Sequence, residues 1–144
     1  MAMMSPVEAV RRCLGRYATF SGRAGRPEFW WFIGFVVIGN LVCGYVDTLL
    51  GLDTLGQLPD HMRAQEGFEP VFEYEAPSPI AFVFSLAVLL PQFAVGARRL
   101  QDREMSAWWL LALLLPVVGF LLLLIFMALP GSDGENRYGP PPPV

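Results

Sequence analysis

The chain has 144 residues, of which 54% are hydrophobic and only 16% charged, with a net charge of −3. Soluble domains carry roughly 25% charged residues, so the composition argues against a water-soluble globule, and the length fits one domain. All ten cationic residues are Arg, and Cys13 and Cys43 lie too far apart for a metal motif, so no disulfide framework, metal or other cofactor is expected.

Taken in order, residues 1–28 read as an arm carrying an amphipathic helix over 5–20. Ser5 suits the N-cap, Pro6 the first helical position, and Glu8 completes a Ser-x-x-Glu capping box. Val7, Val10, Leu14, Tyr17 and Ala18 share a face at helical spacing, with Arg11, Arg12 and Arg16 towards the other side. Such a helix suits the headgroup plane of a bilayer. The Gly- and Arg-containing connector FSGRAGRPE lacks the strand and the Gly-Lys-Ser/Thr of a phosphate loop, so neither a nucleotide nor a nucleic acid is an expected partner.

The membrane domain is expected over 29–129. Its first span, 29–52, opens on Phe29, Trp30, Trp31 and Phe32 as an interfacial collar, with Asp47 expected to reach water near the exit end. Asn40 sits near mid-span and is a candidate interhelical hydrogen-bonding residue. Residues 53–79 form an acidic loop, six carboxylates against Arg63, whose spacing matches no EF-hand and whose His61 has no second ligand nearby. The second span, 80–97, is interrupted by Pro91, with Gln92 as a second candidate interhelical contact. In the connector that follows, Arg98–Asp102 is the expected i,i+4 pair, and Arg98, Arg99 and Arg103 are candidate contacts for anionic lipid headgroups.

The third span, 107–129, is the most apolar stretch: 23 residues without a charge, fifteen of them Leu, Ile, Val or Phe. As one helix it would reach about 35 Å, enough for a hydrocarbon core of about 30 Å. Pro116 and Gly119 predict a kink, with a re-entrant hairpin as the alternative. Residues 130–144 end in four prolines and read as an extended, mostly disordered tail.

Four separated segments carry a family likeness: FSGRAGRPEFWWF at 20–32, PQFAVGARRLQDREMSAWWLL at 91–111, PVVG at 116–119 and PGSDGENRYGP at 130–140. In that order they resemble the YhaH-like family of small bacterial inner-membrane proteins (DUF805). That family usually has His where this chain has Gln101, and often Gly near Ala107. The resemblance implies an integral protein of the inner membrane, and it brings no catalytic residue and no enzyme activity.

The reading is therefore an all-α, polytopic membrane protein of three transmembrane helices preceded by an amphipathic interfacial helix. Eight arginines lie in the N-terminal arm and the 98–106 connector, against Arg63 and Arg137 elsewhere, which places the arm and connector in the cytoplasm. Expected partners are the lipid bilayer, anionic headgroups, and further copies of the chain or other membrane proteins. The absence of any nucleophile–base arrangement argues against an enzyme and for a structural or interaction protein. An oligomeric transport or channel component, using Asn40 and Gln92 along a path, is the alternative.

Overall fold

The computed structural model describes residues 4–52 and 78–142, and the regular elements among them are all helical. The acidic-loop expectations over 53–77, His61 among them, lie outside the described residues. Helix α1 spans Pro6–Gly15. Ser5 Oγ accepts from Glu8 N at 3.2 Å, as the cap predicts. Glu8 does not close the box; its carboxylate takes Arg12 Nη2 at 3.0 Å instead. The helix ends five residues earlier than expected, where Arg16 N turns back onto Arg12 O and Cys13 O. Its buried side is Ala9 and Cys13, which leaves Val7 and Leu14 exposed beside Arg11.

Among the described residues two helices are long and apolar enough to cross a membrane: α2, Arg26–Leu49, and α3, Pro79–Gln101, with mean hydropathy of 1.8 and 2.1 over their most apolar stretches. Pro27 near the N-terminus of α2 costs no hydrogen bond there. α3 runs past the expected end at 97 through Arg98 and Arg99 to Gln101, so its 23 residues reach about 35 Å. Pro91 is accommodated inside it.

The stretch Ala107–Leu129 does not form the single expected helix. Ala107–Leu114 is a 3₁₀ helix, Leu115–Val117 turns, and α4 covers Val118–Ala128. Pro116 is the cause. In an α-helix its ring would strike the carbonyl four residues earlier, that of Ala112. The tighter 3₁₀ register removes that conflict, and Ala112 O accepts from Leu115 N at 2.9 Å. The two arms then fold onto each other. Trp109 meets Phe126 edge-on at 5.5 Å, and Gly119 lies so close to the Ala112 carbonyl that a Cβ would collide with it. The chain thus doubles back within the stretch, in the manner of the hairpin alternative.

The described residues form two compact units, those within 1–36 and 88–144 in one and those within 37–87 in the other. In the second, Asn40 Oδ1 accepts from Ser85 Oγ at 2.6 Å, and Gly39 lies against the Phe84 ring where a side chain would clash. Asp47 is fully buried rather than open to water. Its two carboxylate oxygens take Ile80 N at 3.1 Å and Ala81 N at 3.0 Å, capping the N-terminus of α3 from another helix.

Candidate functional site: a buried arginine clasp

The first unit is organised by charge. Arg23, Glu28, Arg98, Arg99 and Asp102 are all buried. The connector supplies Arg23, the first turn of α2 supplies Glu28, the last turn of α3 supplies Arg98 and Arg99, and the turn after it supplies Asp102. Arg98 Nη1 donates to Glu28 Oε1 at 2.7 Å. Asp102 is shared: one carboxylate oxygen takes Arg23 Nε at 2.8 Å and the other takes Arg99 Nη1. The expected Arg98–Asp102 pair is therefore replaced by Arg99–Asp102 at i,i+3, because Arg98 is turned towards α2 to meet Glu28.

Other donors hold backbone, while Arg98 Nε and Nη2 are buried without a hydrogen-bond partner among the described residues. Arg99 Nε donates to Met127 O at 3.1 Å and its Nη2 donates to Leu129 O, while Arg103 Nη1 donates to Phe126 O at 3.3 Å. The last carbonyls of a helix have no intrahelical partner, and cations are favoured there by the helix dipole. Two arginines that precede the hairpin thus cap its far end. Arg103 also lies over the Phe126 ring at 5.4 Å.

The tail is folded rather than disordered as far as residue 142. Arg23 Nη2 donates to Ser132 O at 2.6 Å and Nη1 to Gly134 O at 2.5 Å. Ser132 donates through N and Oγ to Asp102 O, and Asn136 Nδ2 donates to Gln101 O at 3.1 Å. Asn136 Oδ1 accepts from Tyr138 N, closing a tight turn that Gly139 completes at φ 124°, a conformation open to glycine. At Gly131 any Cβ would meet the Asp102 carboxylate. Specific hydrogen bonds thus override the disorder that the proline-rich composition suggests.

Beside the clasp, the Cys13 thiol lies 3.8 Å from Glu28 Oε1. Burial, reinforced by the Glu28 carboxylate, pushes its pKa up to about 12, so the thiol stays protonated and unreactive at neutral pH. No group of three His, Cys, Asp or Glu suited to a metal occurs among the described residues.

Of the residues singled out for headgroup contact, Arg98 and Arg99 are fully buried and held by internal partners, whereas Arg103 is half-buried. Of the two interhelical candidates, Asn40 makes its bond, to Ser85, while Gln92 is half-buried on α3 without a hydrogen-bond partner among the described residues. Sequence reasoning missed Arg23 and Glu28 as partners, assigned Asp102 to Arg98 rather than to Arg23 and Arg99, and missed Asp47 as a cap. The available signal was the clustering of charge in GRAGRPE and RRLQD, beside a GENRYG tail whose glycines permit tight turns.

All three segments lie within a region matched by a known family. A family profile described as "Protein of unknown function (DUF805)" matches residues 17–140, which include every member of the clasp. The chain belongs to the DUF805 family. It is 36% identical over 131 residues to the inner membrane protein YhaH of Escherichia coli strain K12, covering 91% of this chain and 93% of the relative. It is 33% identical over 129 residues to the inner membrane protein YhaI of the same strain, covering 90% of each. No solved structure matches the chain. The α1 helix falls outside the DUF805 match, whereas the clasp, the hairpin and the folded tail fall within it.

Proposed function

We propose that this DUF805 protein is a structural or interaction protein of the bacterial inner membrane, with α2 and α3 crossing the bilayer and the hairpin dipping into the cytoplasmic leaflet. The observation that carries this is the use of the buried charges: Arg23, Arg98 and Arg99 bind two carboxylates and several backbone carbonyls, and so brace a scaffold rather than line a path. The hydroxyl–amide bond of Asn40 with Ser85 supports helix glue for that polar residue. Exposed apolar side chains such as Ile38, Leu41, Tyr45, Val83 and Leu86 suit lipid or neighbouring helices. Purification in mild detergent tests the role: co-isolation of a membrane protein or of an oligomer is expected, and a protein found only as a monomer with no companion speaks against it.

In this reading both ends of the chain are cytoplasmic, which puts nine of the ten arginines on the inner side and leaves Arg63 in the outer loop. The third crossing is replaced by two arms of about 16 Å each, half a bilayer deep. Reporter fusions decide between two crossings and three: a fusion at Gln65 reports outside and one after Val144 reports inside, whereas an external signal after Val144 restores the third span.

A further inference from the structure

Between the 3₁₀ segment and α4 lies an open apolar groove of about 390 Å³, walled by Trp108, Trp109, Ala112, Leu115, Val118 and Leu122. Ser106 adds a hydroxyl to the lining, and its Oγ accepts from Trp108 N. The volume lies in the range of small-molecule sites, and the lining is predominantly apolar. At one end the wall becomes cationic. Trp109 contacts the Phe126 ring, and the Arg103 guanidinium lies on that same ring. One aromatic ring therefore separates a guanidinium from the groove. Among the described residues Arg103 makes one hydrogen bond, so four of its five N–H donors have no partner there. Exposed Arg26 and half-buried Arg103 both lie within electrostatic range of Arg99, with exposed Glu104 as the opposing charge next to Arg103 in sequence.

We propose that this groove holds one acyl chain of an anionic phospholipid whose phosphate is taken by Arg103. The inference rests on the reading of the hairpin as lying in the cytoplasmic leaflet. An apolar slot leading to a cation matches the two ends of such a molecule, and the Trp108 and Trp109 indoles suit the boundary between them. It also moves headgroup binding away from Arg98 and Arg99, whose guanidinium groups are enclosed.

The test uses the full chain with Trp30→Phe and Trp31→Phe, so that Trp108 and Trp109 report alone. Phosphatidylglycerol with brominated acyl chains is titrated into the protein in mild detergent. Expected is saturable quenching at one lipid per chain, about fivefold weaker with brominated phosphatidylcholine. Arg103→Gln brings phosphatidylglycerol to the phosphatidylcholine level, and Val118→Phe, at an exposed wall position, abolishes the saturable phase. Quenching that never saturates, or that is equal for both lipids in the parent protein, overturns the proposal. So does a lipid-free dimer in native mass spectrometry with its indoles shielded, which assigns the groove to a second copy. Labelling of Asp133→Cys in cells separates the two levels. Reaction from the outer side removes the hairpin reading itself, whereas a shielded cysteine without saturable lipid binding removes only the groove's occupant.

Discussion

The two units of the chain solve the problem of buried polarity in opposite ways. Among the described residues of 37–87 the helices meet through small, neutral or singly charged devices that include an amide–hydroxyl bond, a glycine facing a ring, and a carboxylate on two backbone N–H groups. In the other unit three guanidinium groups and two carboxylates are buried together, and Arg23 and Arg99 also reach backbone carbonyls of the tail and of the end of α4. The difference teaches where charge is tolerated in an apolar chain. It sits at the ends of α2, α3 and α4, where unpaired backbone groups need partners and where the dipoles assist.

The sharpest way to break the comparison is at Asp102, which joins Arg23 to Arg99. Removing one partner of a buried pair leaves an uncompensated charge and costs about 3–5 kcal/mol. Asp102→Ala is therefore expected to give the largest loss of thermal stability in detergent and to release the tail to protease. A variant that melts with the parent protein and keeps its tail protected denies the clasp its role.

Next in size is Asp47→Ala, which deletes the cap on α3. Losing a helix cap costs about 0.5–2 kcal/mol, and the measured shift should be well below that of Asp102→Ala. An equal or larger loss would reverse the ranking of the two units. Smaller again is Asn40→Leu, where interhelical hydrogen bonds in membranes average about 0.6 kcal/mol, readable by denaturant titration in mixed micelles.

The subtlest test is alkaline. Cys13 has a folded pKa of about 12 against an ordinary value of 9.0. The folded state thus keeps its proton where the unfolded chain releases it. The contribution is whole below pH 9 and declines as pH rises towards 12. Cys13→Ser should flatten that alkaline decline relative to the parent protein, and Cys13 should resist alkylation at neutral pH until the protein unfolds. Rapid alkylation of the native protein would contradict the burial beside Glu28.

The capped start of α1, the two long apolar helices and a polar bond at Asn40 were legible because each rests on local pattern: a Ser-Pro cap, uninterrupted apolar length, one amide in an apolar run. Gln92, chosen by the same rule, has no hydrogen-bond partner among the described residues, since the rule names a need and not a neighbour. The hairpin was half legible: Pro116 forbids a regular turn there, but whether the chain kinks or reverses depends on what waits at its far end. Arg99 and Arg103, holding Phe126, Met127 and Leu129 carbonyls, supply that answer.

By itself, then, the sequence determined an all-helical, strongly apolar chain with membership in an inner-membrane family, since hydropathy, caps and motifs are properties of contiguous residues. Only the tertiary structure decided that Arg98 pairs with Glu28 rather than Asp102, that Arg23 holds a tail 109 to 116 residues away, and that the most oily stretch folds back on itself. The reason is physical: a buried guanidinium takes whichever carboxylates and carbonyls the fold delivers, and partners brought together across the chain leave no periodicity in it.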